Sequence, residues 1–582
     1  MRTEKSIEKT HTSTGGRQEG RFPLITGSES LLRTLIAEGV ECIFGYPGGQ
    51  AIPIYDKLYD YKDKLRHVLV RHEQGATHAA QGYARVSGKV GVVVVTSGPG
   101  ATNTITGIAD AMLDSTPLVV IAGQVPSSLL GTDAFQEVDV IGITQPITKW
   151  AYQVRHAEDI AWAVSRAFYI ASTGRPGPVV IDIAKDAQIG LVEYDYQRID
   201  YIRSYNPWPE LEPDRIQAAA DMINLAKRPF ALVGQGVILS GAEQELKAFL
   251  EKANIPAGAT MLGLSAMPSD FRLNKGLLGM HGNIGPNRKT NECDVLIAIG
   301  MRFDDRVTGD LNTYAKQAKI IHLDIDLSEM DKNVKTDVKA LGNAKDTLRE
   351  ITKLLKPAKH TQWIQSFKAD EHEERTKVIE NEIHPKSGML RMGEVIHKIS
   401  EATGHDSVLV TDVGQNQVMS ARYFQFSKTR SMVTSGGLGT MGFGLPAAIG
   451  AKIGAPDRTV CLFVGDGGMQ MTLQELGTIM QENLNIKIII LNNHFLGMVR
   501  QWQELFFKQR YSFTEMKNPD FVAIAKAFQI GAREVKEREA LDDAVNEMLN
   551  YPGAFLLVAD VERSGIVYPM VPVGGCITQM LY

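Results

Sequence analysis

Thr459-Val-Cys-Leu-Phe-Val-Gly-Asp-Gly467 is an apolar, β-branched run ending on an acid between glycines, and Ile486-Lys-Ile-Ile-Ile-Leu-Asn-Asn493 repeats the pattern with an amide pair. Short continuous apolar runs closed by turn residues read as strands buried on both faces, the habit of parallel sheets. Asp466 and Asn493 stand 27 residues apart (493 − 466), room for one helix and a parallel return strand. That unit carries both residues to the carboxyl edge of one sheet, where open α/β folds bind ligands. A carboxylate and an amide oxygen suit Mg²⁺, a hard cation usually shared with phosphates. Gly465 and Gly467 let the backbone approach a diphosphate closely.

The same rhythm of strand and helical pattern extends outward over the chain, which predicts an α/β protein with three doubly wound parallel-sheet domains. The first, 23–186, includes Val90–Thr96, Leu118–Ile121 and Val179–Ile183. Residues 187–212 lose the rhythm and read as a linker. The second block, 213–355, has Phe230–Val233, Val295–Ile299 and Ile320–Ile325. The charged stretch 356–387 reads as another linker with an exposed helix. The third block, 388–565, adds Val408–Thr411 and Phe555–Val558 to the two opening strands, and 566–582 is a C-terminal tail. The three blocks are compatible with one shared architecture.

A chain of 582 residues is too long for a single core. Its net charge of −5, without a basic run, argues against a nucleic-acid surface. Cys42, Cys293, Cys461 and Cys576 are scattered without a C-x-x-C pair, which points to reduced thiols in a reducing compartment. No apolar stretch nears the roughly 18 residues of a membrane span. Residues 1–22 are polar and lack a secretory apolar core, so a flexible leader on a cytoplasmic protein is the simplest expectation.

Glu73 opens a helical pattern after Val68-Leu-Val70. In that place it serves either as a carboxylate favoured by the helix dipole or as a sheltered acid that handles a proton for a heterocycle. Gly45-Tyr-Pro-Gly-Gly49, Thr96-Ser-Gly-Pro-Gly-Ala-Thr-Asn103 and Ser435-Gly-Gly-Leu-Gly-Thr-Met-Gly-Phe-Gly444 lie at strand-to-helix passages. Their glycine density exceeds what turns alone require and suits backbone contact with a large cofactor.

His72-Glu73-Gln74, Gly98-Pro-Gly-Ala-Thr-Asn103, Gly439-Thr-Met-Gly442 and Gly465-Asp-Gly467 with Asn492-Asn493 resemble the thiamine-diphosphate enzymes. Gly131-Thr-Asp-Ala-Phe-Gln-Glu137, Gly174-Arg-Pro-Gly-Pro178, Arg302-Phe-Asp-Asp-Arg306 and Gly497-Met-Val-Arg-Gln-Trp502 narrow the resemblance to the catalytic subunits of the acetohydroxyacid (acetolactate) synthase family. The likeness runs over about residues 22–575.

The resemblance implies a pyrimidine-binding first block, a central FAD block and a diphosphate-binding third block, with each site shared by two copies. It makes Glu73 the partner of the pyrimidine nitrogen and Met441 the prop of the bent cofactor. Asp466, Asn493 and the Phe495 carbonyl become Mg²⁺ ligands, with Gln415, Gly465 and Gly467 beside the diphosphate. Arg306 would grip the acceptor carboxylate; Met498 and Trp502 would shape its pocket, with Gly49, Gln136 and Lys185 completing it. Arg175, Gly234, Gly236, Met280, His281, Arg302, Asp324 and Asp326 would contact a structural FAD, although Gly234-Gln-Gly-Val-Ile-Leu239 lacks the third glycine of a dinucleotide fingerprint. Asn416 stands where the family often has His, which removes a titrating group there.

The implied reaction is decarboxylation of pyruvate and ligation of the two-carbon unit to pyruvate or 2-ketobutyrate, the first common step toward branched-chain amino acids. A homodimer at least, possibly a tetramer, and a small regulatory subunit are the implied partners. The nearest rival is a pyruvate oxidase-type enzyme with the same cofactors. A Gly-Asp-Gly phosphatase would need a second acid close behind Asp466, and Gly467-Gly-Met-Gln-Met471 has none. A silent scaffold fits poorly with Glu73, Asp466 and Asn493 all present.

Overall fold

The computed structural model describes residues 24–582; the expected leader, 1–22, lies outside the described residues. Three six-stranded sheets, every strand pair parallel, follow one another along the chain. The first is built from Cys42–Gly45, Arg66–Leu69, Gly91–Val95, Leu118–Gln124, Trp150–Val154 and Pro178–Ala184. Counted in chain order, these lie 2-1-3-4-6-5 across the sheet. The third sheet, from Val408–Thr411, Met432–Val433, Val460–Gly465, Ile486–Asn492, Gly531–Val535 and Phe555–Asp560, has that same order. The central sheet differs. Its strands Pro229–Val233, Ala257–Ala259, Asn274–Leu277, Val295–Ile299, Lys319–Asp324 and Val338–Leu341 lie 3-2-1-4-5-6, the dinucleotide-binding order. One architecture is therefore shared by the first and third blocks and not by the second.

The reason for the parallel sheets is visible in the central strands. Val460–Val464 and Ile486–Asn492 are buried at every residue, so helices must cover both faces. Burying each such leucine or isoleucine contributes roughly 1.5–3 kcal/mol. One core joins Phe44, Val93 and Val120 of the first block to Val410, Leu462 and Ile488 of the third. The two blocks meet where helix Glu73–Ser87 lies on helix Gly444–Gly454. A Cβ at Gly450 would sit 1.7 Å from the Ala79 carbonyl oxygen, and one at Gly82 2.0 Å from that of Ala447. Only glycine permits this approach.

The stretch expected to be a linker with an exposed helix carries helix Thr361–Glu374, and this helix is not exposed on all sides. Trp363, Phe367, Asp370 and Glu374 are buried, at spacings of four, three and four residues that put them on one stripe. Trp363 Nε1 donates to the Pro229 carbonyl at 2.8 Å, and Phe367 packs on Phe230 at 5.7 Å. Lys368 and Glu371 lie on the exposed face, while Asp370 and Glu374 carry charge into the buried one. The tail also packs down: Val571 and Ile577 join the core of Leu278 and Phe303. Cys42, Cys293 and Cys461 are buried free thiols, and no described helix is long and apolar enough to cross a membrane.

Candidate active site

In an open sheet the ligand crevice lies where strand order reverses. In the third sheet that point falls between Val408–Thr411 and Val460–Gly465. The loop after the first strand leads through Gly414, at φ +123°, into helix Gln415–Tyr423. The loop after the second is Gly465-Asp466-Gly467. The next strand pairs Leu491 with Gly465, so Asn492 and Asn493 arrive at the same edge. The spacing argument made from sequence therefore holds in three dimensions.

Amides organise this edge. Asn493 Nδ2 donates to Gln415 Oε1 at 3.2 Å, while Asn493 Oδ1 accepts the Phe495 N–H at 3.1 Å. Asn518 Nδ2 donates to Asp466 Oδ2 at 2.6 Å and to Asn492 Oδ1 at 2.8 Å. Asp466 is 1% exposed, and burial raises its carboxyl above the ordinary carboxylate range. No lysine or arginine pairs with it among the described residues, so a bound cation would relieve that cost. Among the described residues no three His, Cys, Asp or Glu side chains gather into a metal cage. One carboxylate with amide and carbonyl oxygens fits Mg²⁺ that takes its other ligands from phosphate. Met441 reaches this edge as well: its Cε lies 3.7 Å from where a Gly467 Cβ would be. Asn416 is buried, donating to the Val413 carbonyl at 3.2 Å and leaving Oδ1 without a partner.

The first block forms a second cluster at its own reversal point, between Cys42–Gly45 and Gly91–Val95. His72 caps helix Glu73–Ser87, accepting the Gln74 N–H on Nδ1 at 3.2 Å, and this sets Glu73 in the first turn. Asn103 Nδ2 donates to Glu73 Oε2 at 2.9 Å, and Gly100 runs beside Oε1. Glu73 is half-buried rather than buried in the single chain. Lys185 Nζ donates to the Gly49 carbonyl at 3.1 Å, and Gln136, at φ +62°, faces Gly49. Gly49, Gln136, Lys185 and Glu73 thus share one wall.

Between the three blocks opens a cavity of about 640 Å³, the size of a small-molecule or cofactor site. Arg175, Gly236, Met280, His281, Arg302 and Asp324 line it, together with Arg306, Met498 and Trp502. The turns after strands Pro229–Val233 and Val295–Ile299, at the central reversal point, form its floor. Gly236 N–H donates to the Gly300 carbonyl at 2.9 Å, and a Cβ at Gly234 would lie 2.2 Å from that oxygen. Gly234 therefore serves the close turn and does not itself line the cavity. Asp326 pairs with Arg175 at 3.1 Å, and Glu329, which lines the cavity, pairs with the same arginine at 2.8 Å. Burial raises the Asp324 carboxyl. Burial, with Arg422 beside it, pushes His281 down to about 4, so this imidazole is neutral at physiological pH. Trp502 stacks edge-on against Phe506 at 5.4 Å, so it packs on its helix neighbour and lines the cavity at once.

Comparison with known proteins agrees with this geometry. Residues 25–143, 216–351 and 412–559 match the N-terminal TPP-binding, central and C-terminal TPP-binding domains of thiamine pyrophosphate enzymes. The acetolactate synthase large subunit of Buchnera aphidicola subsp. Schizaphis graminum is 43% identical, covering 96% of this chain and 98% of its own. The chain belongs to the acetolactate synthase large subunits of the thiamine pyrophosphate enzymes. The isozyme 2 large subunit of Escherichia coli K12 is 42% identical over 96% of this chain and 99% of its own. A probable large subunit from Methanocaldococcus jannaschii is 43% identical over 95% of each.

Within this family frame, the expected residues that do not belong to the central cavity fall into two groups. Gln415, Met441, Gly465, Asp466, Gly467, Asn493 and Phe495 share the third-block crevice, and Glu73, Gly49, Gln136 and Lys185 the first-block wall. No hydrogen bond joins the two groups among the described residues. Sequence reasoning missed Asn518, which ties Asp466 to Asn492, and Gly497, whose Cβ would lie 2.3 Å from Gln415 Oε1. It also missed Asp110 and Asp114, which bind the cavity-lining loop. Asp114 accepts the N–H groups of Gly436 at 2.9 Å and Gly437 at 2.6 Å, and Asp110 accepts the Ser435 hydroxyl. Of these, only Gly497 had a signal, a glycine just inside a helix start.

Proposed function

We infer that this chain catalyses the acetolactate synthase reaction, joining the two-carbon remnant of pyruvate to a second 2-ketoacid with loss of CO₂. The reading is carried by full-length family identity together with the intact crevice of Asp466, Asn493 and Gln415. Thiamine diphosphate supplies an electron sink for the bond broken when CO₂ leaves.

The chain's residues supply the rest. Asp466, Asn493 and the Phe495 carbonyl would hold Mg²⁺, and the N–H groups opening helix Gln415–Tyr423 would face the diphosphate. Met441 would prop the cofactor in its bent form. Glu73, steadied by Asn103, would accept a hydrogen bond from the protonated pyrimidine N1′, a task that a half-sheltered carboxylate at a helix start suits. Arg306 would take the acceptor carboxylate in its planar fork, with Met498 and Trp502 limiting the acceptor's size. Gly49, Gln136 and Lys185 would close the pocket and exclude water.

Among the described residues no hydrogen bond joins Glu73 to the diphosphate crevice of its own chain, and with the family resemblance this leads us to place the complete site between two copies, one giving the acid and the other the crevice. A homodimer is then the smallest active form, and a tetramer would repeat it. The designation of the relatives as large subunits supports a small regulatory partner. The central cavity suits FAD in a structural role: its sheet order is the dinucleotide-binding one, and Arg175 and Arg302 supply cations.

The experiment is a carboligation assay with pyruvate, Mg²⁺, thiamine diphosphate and FAD. Acetolactate is the expected product. Acetyl phosphate or reduced flavin in its place would transfer the chain to the oxidase chemistry.

A further inference from the structure

Helix Gln415–Tyr423 has its first residue in the diphosphate crevice and Arg422 at its far end. The Arg422 side chain is 1% exposed. Its Nη1 donates to the carbonyls of His281 at 2.9 Å and Gly282 at 3.1 Å, and its Nη2 pairs with the Glu374 carboxylate. Glu374, from helix Thr361–Glu374, accepts Asn283 Nδ2 at 2.9 Å and the Ile284 N–H at 2.8 Å. Beyond their mutual bond, both members of this buried pair therefore bind one turn, residues 281–284.

That turn is joined to the acceptor side. Met280 N–H donates to the Arg306 carbonyl at 2.7 Å, and Arg306 Nη1 donates to the Met280 sulfur at 3.4 Å. Gly279, at φ +101°, passes so close that a Cβ would lie 2.4 Å from the Arg306 carbonyl oxygen. The turn is thereby tied to the Arg306 backbone. A buried ion pair is a poor way to gain stability, since apolar residues of similar volume do as well. A guanidinium fork that meets two carbonyls and a carboxylate in fixed directions is a good way to set position.

We propose that Arg422 is a positioning residue that holds the Met280–Gly282 turn, and with it Arg306 and one wall of the central cavity, in register with the diphosphate crevice. The proposal rests on the assignment of that cavity to FAD and the acceptor ketoacid made above. It makes helix Gln415–Tyr423 the spacer between the two ligand sites, with Glu374 bracing its end.

The test uses the full chain with Arg422→Lys, which keeps the charge and loses the fork, and Glu374→Gln, which keeps the shape and loses the charge. Four quantities are read: FAD dissociation by flavin fluorescence, the product ratio from mixed pyruvate and 2-ketobutyrate, the thiamine diphosphate concentration for half-activation, and the thermal midpoint. One charge-assisted hydrogen bond corresponds to about a tenfold effect. Arg422→Lys should weaken FAD binding and shift the product ratio by about that factor, with half-activation by thiamine diphosphate moving less than about twofold. Unchanged FAD binding and product ratio would overturn the proposal, and so would losses in all four that track the thermal midpoint. If Arg422→Lys does not fold, Glu374→Gln is read by the same criteria. If the wild-type chain binds no FAD, the cavity assignment fails, and the product ratio alone decides the role of Arg422.

Discussion

Gly497→Ala separates positioning from stability. Gly497 opens helix Gly497–Phe506 with an ordinary helical backbone, so alanine meets no conformational strain there. On propensity alone it would stabilise the helix by at most about 1 kcal/mol. The new Cβ, however, would lie 2.3 Å from Gln415 Oε1 and 2.6 Å from Asn493 Nδ2, well inside contact distance. Both atoms are side-chain ends, so they can turn away without moving the backbone. Gln415 and Asn493 are buried and lose the bond between them, so fold stability should fall by about 1–3 kcal/mol. The cost falls on ligand geometry: the 3.2 Å bond that orients Asn493 breaks, and with it the placement of its Oδ1. Loss of a group that orients a metal ligand typically costs about 10–100-fold in affinity. The assay is activity against Mg²⁺ concentration at saturating thiamine diphosphate, beside a thermal melt. The half-saturating Mg²⁺ concentration should rise by about that factor while the melt falls by only roughly a few degrees. An unaltered Mg²⁺ dependence would refute the reasoning; so would a large fall in the melt.

Glu73→Gln keeps the shape and the Asn103 contact but loses the acid, so turnover should fall by about 10²–10⁴-fold while cofactor binding, followed by titration, persists. Trp502→Leu removes a large ring from the cavity wall, and pocket contacts of this kind discriminate by about 1–3 kcal/mol, so the product ratio from competing ketoacids should shift at least tenfold, roughly, toward a different acceptor preference. Asp182 is buried and accepts Gln124 at 3.1 Å and Gln153 at 2.9 Å, and burial raises its carboxyl to about 6. A folded-state pKa above the unfolded value gives stability that is full below about pH 4 and lost as pH rises through about 6. Asp182→Asn should then flatten the melting temperature between those pH values and raise stability at pH 8 by on the order of 2 kcal/mol, whereas an unchanged pH profile would show that Asp182 ionises freely in the fold.

Much of the fold was legible because parallel sheets write themselves as apolar runs. Val460–Val464, Ile486–Leu491 and Val295–Ile299 are strands where the runs are. What was not legible is how the strands are ordered. Nothing in a run tells whether its neighbour is added to the left or the right, so the 3-2-1-4-5-6 order of the central sheet could not be separated from the 2-1-3-4-6-5 of its flanks. Helix Thr361–Glu374 misled for another reason. Its four buried positions include Asp370 and Glu374, acids that find Arg288 at 2.9 Å and Arg422 across the fold, and composition counts such residues as solvated.

The candidate site divides along the same line. Asp466, Asn493 and Glu73 stood out because each chemical group follows directly on a strand or opens a helix, and local sequence fixes that place. Gly234 and Asp326 were expected as cofactor contacts through the family resemblance; in the structure Gly234 forms a tight turn and Asp326 pairs with Arg175. Asn518, Asp114 and Arg422 gave no local sign, because their partners are 26 to 323 residues away and are reached only through tertiary packing. The partners of Asp114 and Arg422 include four backbone groups, which every residue carries. A motif can therefore announce the atoms that touch a ligand, but the atoms that set the distance between two ligands belong to the tertiary structure. On the assignments proposed above, that distance is spanned by the nine residues from Gln415 to Tyr423, whose sequence reads as an ordinary helix.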